Sequence, residues 1–476
     1  MKKESNIDNI FQSRDWLSVE IDTKKIDQIF LKAKEEKKWV IQIVVGTKPD
    51  FYKQYPLMYW AEKLDIPLIL VTTGQHHDYP LDYGLTEFNM APTIDLQVRG
   101  NLIEKVTELF YKMGSLAKWF KKIAPKTIVM PIPHGDTLSA AITATAWFLS
   151  IRQGVAQNEA GLRAMAPQCI YNLKTLIKPD FYEGFIYKQW DDKWFIIRDE
   201  PYPEQWDTFV CGAGASYFFA PHQINIEHLK REGYHEDRMN LVGNSVVDAI
   251  KLHKKPETSI FTLYPKLEKN DNWIRVDIHR RENLGRQRFL SIVKAILKLL
   301  KEGFSVIWIE MNATEKALLY YNLRKDVLDW TSQYENFIFT PVWPQYGHVI
   351  EFWRSKKCLM ELTDSGSIQE ELNEITEVLC CTARFSTDRP ESIFDAHSNV
   401  LIPPFSEELM SNLVKCVIDS EDIQNTMKKS KKIYGIDVGK QIIEYLRTVM
   451  SSNDTPFRWA HQTLFNLPDE DNPEYL

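Results

Sequence analysis

The chain has 476 residues, a formal charge of -7 and 44% hydrophobic content, which is enough apolar material for two buried cores and leaves no basic field to attract a polyanion. Nucleic acid is therefore not expected as the main partner. Six scattered cysteines with no C-x-x-C spacing, no apolar run of about 18 residues and no apolar stretch behind MKKESNIDNIFQSRDW predict an unexported, cytoplasmic, non-membrane protein with reduced thiols.

Residues 1–36 read as a charged, amphipathic helical leader in which Ile26, Ile29 and Phe30 are placed either to dock on the chain or to meet a second copy. Apolar runs of strand length follow at 39–46, 66–73, 126–132, 207–213 and 216–220. Among them lies a helix whose stripe is Leu102, Val106, Leu109, Met113, Leu116 and Phe120. Residues 164–200 are rich in aromatics and read as an insertion. After the polar stretch 251–259, a second series of runs stands at 273–279, 304–311, 336–341, 357–362 and 376–381, with a helix over 289–303. Strands alternating with helices predict an α/β fold of two Rossmann-like domains: 37–250, carrying the insertion, and 251–445, followed by a tail at 446–476.

Open α/β sheets bind ligands beyond the carboxyl ends of their strands, so the polar strings after each run carry the functional reading. Gly46 opens a turn into a helix start bearing Lys48 and Lys53, which suits a phosphate; an ordinary βα turn with solvated lysines is the plain alternative. Gln75 and His76 follow the second run and His134-Gly135-Asp136 the third. No further ligand spacing converges on these histidines, so no metal is expected. Asp136, Glu159 and Glu204 are three loop carboxylates that fit proton transfer if they share a cleft, and solvated loop acids if they do not.

In the second series, a strand runs into His279-Arg280-Arg281-Glu282-Asn283, an imidazole and two guanidinium groups suited to a diphosphate, or else a basic loop paired with Glu282. The string Thr363-Asp364-Ser365-Gly366-Ser367-Ile368-Gln369-Glu370-Glu371 is a polar turn leading into a helix. Ser365 and Gly366 are placed to cradle a phosphate and Glu371 to accept ribose hydroxyls, the alternative being a capping box of Ser367 with Glu370. Arg384 and Thr387-Asp388-Arg389-Pro390-Glu391 close the series, with a surface Arg389–Glu391 pair as the plain reading.

In order along the chain, GTKPDFYK, TGQH, HGDT, EAGLR, PEQ, GNSVVDA, HRRENLG, DSGSIQEE and STDRPE resemble the signatures of the non-hydrolysing UDP-N-acetylglucosamine 2-epimerases, from about 39 to 445. The resemblance implies two Rossmann-like domains facing across a cleft in a GT-B-type arrangement, with UDP held mainly by the C-terminal one. It also implies interconversion of UDP-GlcNAc and UDP-ManNAc, or a close derivative, through 2-acetamidoglucal. Neither a metal nor a nicotinamide cofactor is implied, family members are commonly homodimers, and the product would feed polysaccharide synthesis.

By position, Asp136, Glu159 and Glu204 match the family's acid/base residues and His279 the histidine near the diphosphate. Lys48, Lys53, Arg163, Arg280, Ser365, Gly366, Glu371 and Arg384 match substrate or UDP contacts or their supports, and Gln75 with His76 a second, activating UDP-sugar site. Three departures stand out: Lys48 replaces an arginine, Gln157 stands where HVEAGLR has its histidine, and Glu310 brings an acid near the expected diphosphate. A hydrolysing 2-epimerase, a glycosyltransferase of the same architecture and a non-catalytic nucleotide-sugar-binding protein are the competing readings.

Overall fold

The computed structural model describes residues 18–36, 39–75, 80–173, 181–452 and 454–467, with the backbone alone for 80–83. His76 lies outside them. The N-terminal half begins with β1 (Glu20–Ile21), β2 (Val40–Val45), β3 (Leu68–Thr72), β4 (Ile94–Asp95) and β5 (Val129–Ile132), in the spatial order β1-β4-β3-β2-β5. It continues through β6 (Val155–Asn158), because a parallel bridge between His134 and Asn158 joins the first sheet to a second. A short antiparallel hairpin, β7 (Met165–Pro167) with β8 (Trp194–Ile196), precedes β9 (Ala215–Ala220) and β10 (Met239–Leu241), which complete the second sheet in the order β10-β9-β6. The C-terminal half is one all-parallel sheet of β11 (Trp273–Asp277), β12 (Val306–Glu310), β13 (Phe337–Pro341), β14 (Cys358–Thr363), β15 (Leu379–Thr382) and β16 (Asn399–Leu401), ordered β13-β12-β11-β14-β15-β16.

Both halves are doubly wound, and the strand order reverses between β2 and β5 in one and between β11 and β14 in the other. Those switch points are where such sheets open a crevice. The two halves form the expected two-domain arrangement, with the polar strings at the facing ends.

Most predicted runs became strands because each is short, apolar and nearly all buried, as a strand covered on both faces must be. Residues 207–213 did not. Helix Glu204–Ala213 spans them, burying Asp207, Thr208, Cys211 and Gly212 at helical spacing, with Glu204 and Asp207 in its first turn where the helix dipole favours acids.

The additions to the frame are docked on it. Helix Thr23–Glu35 buries Ile26 and Phe30 in one cluster with Ile69, Val71 and Phe120, so these positions dock on the same chain. Helix Val438–Met450, near the end of the chain, returns to the N-terminal half and packs Ile442, Ile443 and Leu446 with Ile43, Tyr217 and Phe219. Gly439 permits that approach, since a Cβ there would lie 2.7 Å from the backbone of Pro56. The aromatic insertion crosses the other way. Its helix Phe181–Asp191 buries Phe185, Ile186 and Trp190 among Val400, Leu401 and Ile402, and Gln189 exchanges side-chain hydrogen bonds with the backbone of Leu401 at 3.0 and 2.6 Å.

Candidate functional site

The site grows from the first helix after β2. Asp50 closes a capping box at the start of helix Lys48–Lys63, accepting from the backbone N–H groups of Gly46 and Thr47 at 2.9 Å each. Its other oxygen stands 2.9 Å from Nδ1 of His134, whose Nε2 is 3.1 Å from Oε2 of Glu159. Burial works against a charge on His134, but Glu159 and Asp50 outweigh it and raise the imidazole to about 9. Glu159 itself has φ of +59°, a left-handed conformation that a non-glycine residue keeps only where the surroundings impose it, and such strain gathers at functional sites.

Glu159 ties the halves together. Lys53, one turn along the same helix, pairs with Glu159 and with Oε2 of Glu370 at 2.5 Å, while Asn244 donates to Glu159 and to Oε1 of Glu370 at 2.6 Å. From the C-terminal half Arg389 reaches Glu370 at 2.8 Å and Glu159 at 3.3 Å, and its third nitrogen is 2.7 Å from Asp388. Burial alone would neutralise Glu159. Lys53, His134 and Arg389 overcome it and hold the carboxyl well below its usual range, whereas Glu370 is pushed up to about 7 by the same burial.

On the C-terminal side Asp364, at the end of β14, accepts from the backbone of His279 and Arg280 at 3.0 Å and from the side chain of Asn283 at 2.9 Å. One carboxylate thereby fixes the whole His279–Asn283 loop over the β11–β14 crevice. Nδ1 of His279 is bound at 2.9 Å by Asp277. The next helix, Gly366–Glu374, starts beneath two guanidinium groups: a Cβ on Gly366 would lie 3.3 Å from Arg389 and 3.5 Å from Arg280. Two fixed cations above a helix N-terminus make a strong anion site.

Beside that site stand the acids of the N-terminal half. Nη1 of Arg280 pairs with Oε1 of Glu204 at 2.5 Å. Asp136 is pushed up to about 6 by burial, which the nearby Arg389 and Arg280 only partly offset. Asp207, on the same helix as Glu204, is pushed up to about 8 by burial and by the charges of Asp136 and Glu204, so it keeps its proton at neutral pH. Asp136 Oδ2, Glu204 Oε2 and Arg280 Nε are buried with no hydrogen-bond partner among the described residues. They converge where a polar ligand would be bound. Among the described residues, no group of three or more His, Cys, Asp and Glu is arranged to hold a metal ion.

The structure thus brings Lys53, Asp136, Glu159, Glu204, His279, Arg280 and Gly366 to one cleft, with Ser365 as N-cap of the helix below it. Lys48 is half-buried at its edge, 5.8 Å from the ring of Tyr52 and facing Asp277 and Glu371 from the other half. Glu371 accepts from Ser367 at 2.6 Å, so the capping box of Ser367 with Glu370 does not form. Arg384 lies one step back, 3.0 Å from Asp388. Arg163 lies apart, forking onto Glu232 at 2.8 and 2.5 Å and stacked 3.8 Å from Phe209. Gln75 accepts from Ser139 at 2.9 and 2.7 Å. Glu310 turns to Arg324 at 2.7 and 3.0 Å, which removes the repulsion its position threatened. Gln157 donates to the carbonyl of Thr208 at 3.4 Å inside the N-terminal half.

Asp50, His134, Asn244, Asp277, Asp364, Glu370 and Arg389 are further members of the site, each inside a predicted run or polar string that does not single it out. The sequence offers Glu370 and Glu371 as adjacent acids without saying which faces the cleft. Arg389 reads as a surface pair with Glu391, yet it is buried, and Glu391 is bound by Tyr434 at 3.0 Å.

The family profile for UDP-N-acetylglucosamine 2-epimerase matches residues 198–447. By sequence the chain is 26% identical to the UDP-N-acetylglucosamine 2-epimerase of Methanocaldococcus jannaschii over 379 residues, 78% of this chain and 90% of that protein. It is 27% identical to the one from Campylobacter jejuni over 416 residues, 83% and 94% of the two. Its fold is similar to that of the M. jannaschii enzyme solved with UDP-GlcNAc and UDP, with TM-score 0.67, 23% identity and coverage of 86% of this chain and 99% of that one. The Neisseria meningitidis UDP-GlcNAc 2-epimerase bound to UDP-GlcNAc gives TM-score 0.66, 24% identity and coverage of 86% and 100%.

Proposed function

We propose, from the premise that the chain belongs to the UDP-N-acetylglucosamine 2-epimerase family and is an epimerase enzyme, that it interconverts UDP-GlcNAc and UDP-ManNAc or a close derivative by elimination and re-addition of UDP. The observation that carries this reading is the pairing, at one point, of a two-guanidinium cationic site with unpartnered carboxyl oxygens. Arg280 and Arg389 stand over the N-terminus of helix Gly366–Glu374, and Asp136 and Glu204 stand beside them.

In this mechanism the diphosphate lies on Ser365, Gly366, Arg280 and Lys48, and Glu371 takes the ribose hydroxyls. A carboxylate removes the C2 proton; the C–H electron pair becomes the C1–C2 double bond, and the C1–O bond breaks with its pair remaining on the β-phosphate oxygen. For the return, that oxygen attacks C1 while C2 takes a proton on its other face. Inversion needs two proton carriers of unlike affinity. Asp136 is suited to be the base. Glu204, ion-paired with Arg280, is suited to be the second carrier, and Asp207, proton-bearing at neutral pH on the same helix, is the reservoir that supplies it. Glu159, locked among Lys53, His134 and Arg389, serves better as a fixed anion that aligns these cations than as a proton carrier. A homodimer in the cytoplasm belongs to the same reading.

The test is incubation with UDP-GlcNAc in deuterium oxide, following the C2 and anomeric signals by NMR. Deuterium at C2 with UDP-ManNAc, both lost in Asp136→Asn, is the expected result. Free ManNAc with UDP selects the hydrolysing enzyme. Saturable UDP-sugar binding with no exchange defeats catalysis on this substrate and leaves a binding protein or an acceptor-requiring transferase.

A further inference from the structure

The central strands of the C-terminal sheet carry an ionisable row. Arg275 on β11 stands in register with Glu361 on β14 and donates to its carboxylate. Glu361 also accepts from Nε1 of Trp353 at 3.0 Å, and the guanidinium of Arg275 lies 5.2 Å from the ring of Trp343. Arg275 Nη2 is 3.9 Å from Asp277, and Asp277 is 2.9 Å from Nδ1 of His279. Arg275, Asp277 and Glu361 are all buried. Residues 275, 277 and 279 follow at the two-residue period that places strand side chains on one face.

Burying three charges in a parallel sheet gives no net stability over apolar residues of similar size, so stability does not account for the row. Its one outlet does. The signs alternate from Glu361 through Arg275 and Asp277 to His279, and His279 alone of the four meets the cleft, with 29% of its side chain exposed.

We propose that Asp277, held in place by Arg275 and Glu361, is a positioning residue that fixes the His279 imidazole through Nδ1 and keeps it charged, so that Nε2 protonates the departing diphosphate oxygen. As the C1–O bond breaks, its electron pair stays on the β-phosphate oxygen and the Nε2 proton passes to that oxygen. On re-addition the proton returns to Nε2. This rests on the epimerase reading of the cleft.

The charged groups around the ring are few. Asp277 comes from its own strand, and Asp364 comes from the end of β14, 3.4 Å away. Arg280 is the next residue, and Lys48 faces Asp277 from the N-terminal half. Burial opposes the imidazolium, but Asp364 and Asp277 outweigh it and hold the group above its ordinary value. Asp364 divides its charge among three donors of the loop, which leaves Asp277 as the partner dedicated to the ring.

The experiment is a ¹⁵N-imidazole NMR titration of the full chain and of Asp277→Asn, with UDP present, alongside the pH profile of C2 exchange. The substitution is nearly isosteric. In the unmodified protein the His279 signal is expected to titrate above its ordinary value. In the variant it should move down by about one unit, the scale of losing one adjacent charge. Since the protonated ring is the active form, the alkaline limb of kcat/KM should move down with it, while UDP affinity at low pH, where both rings are charged, stays unchanged.

An unmoved His279 signal overturns the proposal, and so does a moved signal with an unmoved alkaline limb. Should Asp277→Asn fail to fold, titration of the unmodified His279 at or below its ordinary value overturns it equally. Failure of the epimerase reading is separately visible as absence of C2 exchange in the unmodified protein.

Discussion

Glu159 is buried and Asp136 partly so, and their environments part them: three cations keep Glu159 ionised, while Asp136, with less compensation, is raised to about 6. A group raised to that value is ionised at neutral pH and takes up a proton as pH falls through about 6. If it is the base, kcat/KM for C2 exchange should fall on the acid side with an apparent pKa near that value, and Asp136→Asn should cost roughly 10²- to 10⁴-fold in rate with little loss of stability. Glu159→Gln should behave oppositely in stability, because it leaves Lys53 and Arg389 short of a buried partner, at a cost of about 3–5 kcal/mol. Initial rates across pH, with urea unfolding of both variants, check the pair; an acid limb unchanged by Asp136→Asn would remove Asp136 from the proton path. At this scale the sequence was informative wherever a residue closed a strand. It was silent on Lys53 with Glu370, which meet across 317 residues of chain. No local pattern records a contact of that separation.

Helix Phe181–Asp191 shows what sequence periodicity leaves open at the scale of an element. Its aromatics mark an insertion that must be buried somewhere, but nothing in their spacing names the surface. The structure seats it on the edge of the C-terminal sheet, where Gln189 mimics a strand residue by bonding both backbone groups of Leu401. Where the insertion leaves the N-terminal half, Met165 and Thr387 exchange backbone hydrogen bonds at 2.8 and 2.9 Å, joining it to the loop that carries Arg389. Gln189→Leu should strand a buried donor and acceptor, at about 1–3 kcal/mol each, and Trp190→Ala should lose about 3–5 kcal/mol by leaving a cavity. Both should lower the urea midpoint followed by tryptophan fluorescence. An unchanged midpoint in Gln189→Leu would mean that the strap does not bear on the stability of the C-terminal half. Helix Glu204–Ala213 teaches the same lesson from the other side: a short apolar run fits either period, and the acids and the proline before it decided the outcome.

Taken whole, the molecule joins its halves in two physically different ways. The returning helix Val438–Met450 and the Phe181–Asp191 strap are apolar and continuous with the cores, so they act as fixed hinges. Across the cleft stands a polar set: Lys53 and Asn244 with Glu370, Arg389 with Glu159, Arg280 with Glu204, and Glu87 with helix Tyr346–Arg354. Glu87 accepts from the backbone N–H groups of Tyr346 and Gly347 at 3.0 Å each, and Tyr346 stacks on Tyr52 with ring centroids 4.2 Å apart. A carboxylate capping a helix across a cleft is a closure contact, worth about 0.5–2 kcal/mol by comparison with caps within one helix. Glu87→Ala touches none of the proton carriers and leaves the guanidinium groups of the anion site in place, removing one charge that faces Lys48. Removing the cap should shift the open–closed balance by up to roughly 30-fold, and a ligand that binds the closed state then loses apparent affinity in proportion to the closed fraction. The expected outcome is a larger radius of gyration by X-ray scattering without ligand, restored by UDP, together with a raised KM for UDP-GlcNAc and a nearly unchanged kcat. If scattering and KM both stay at the parent values, the apolar hinges alone hold the halves together, and closure is a property of the two cores.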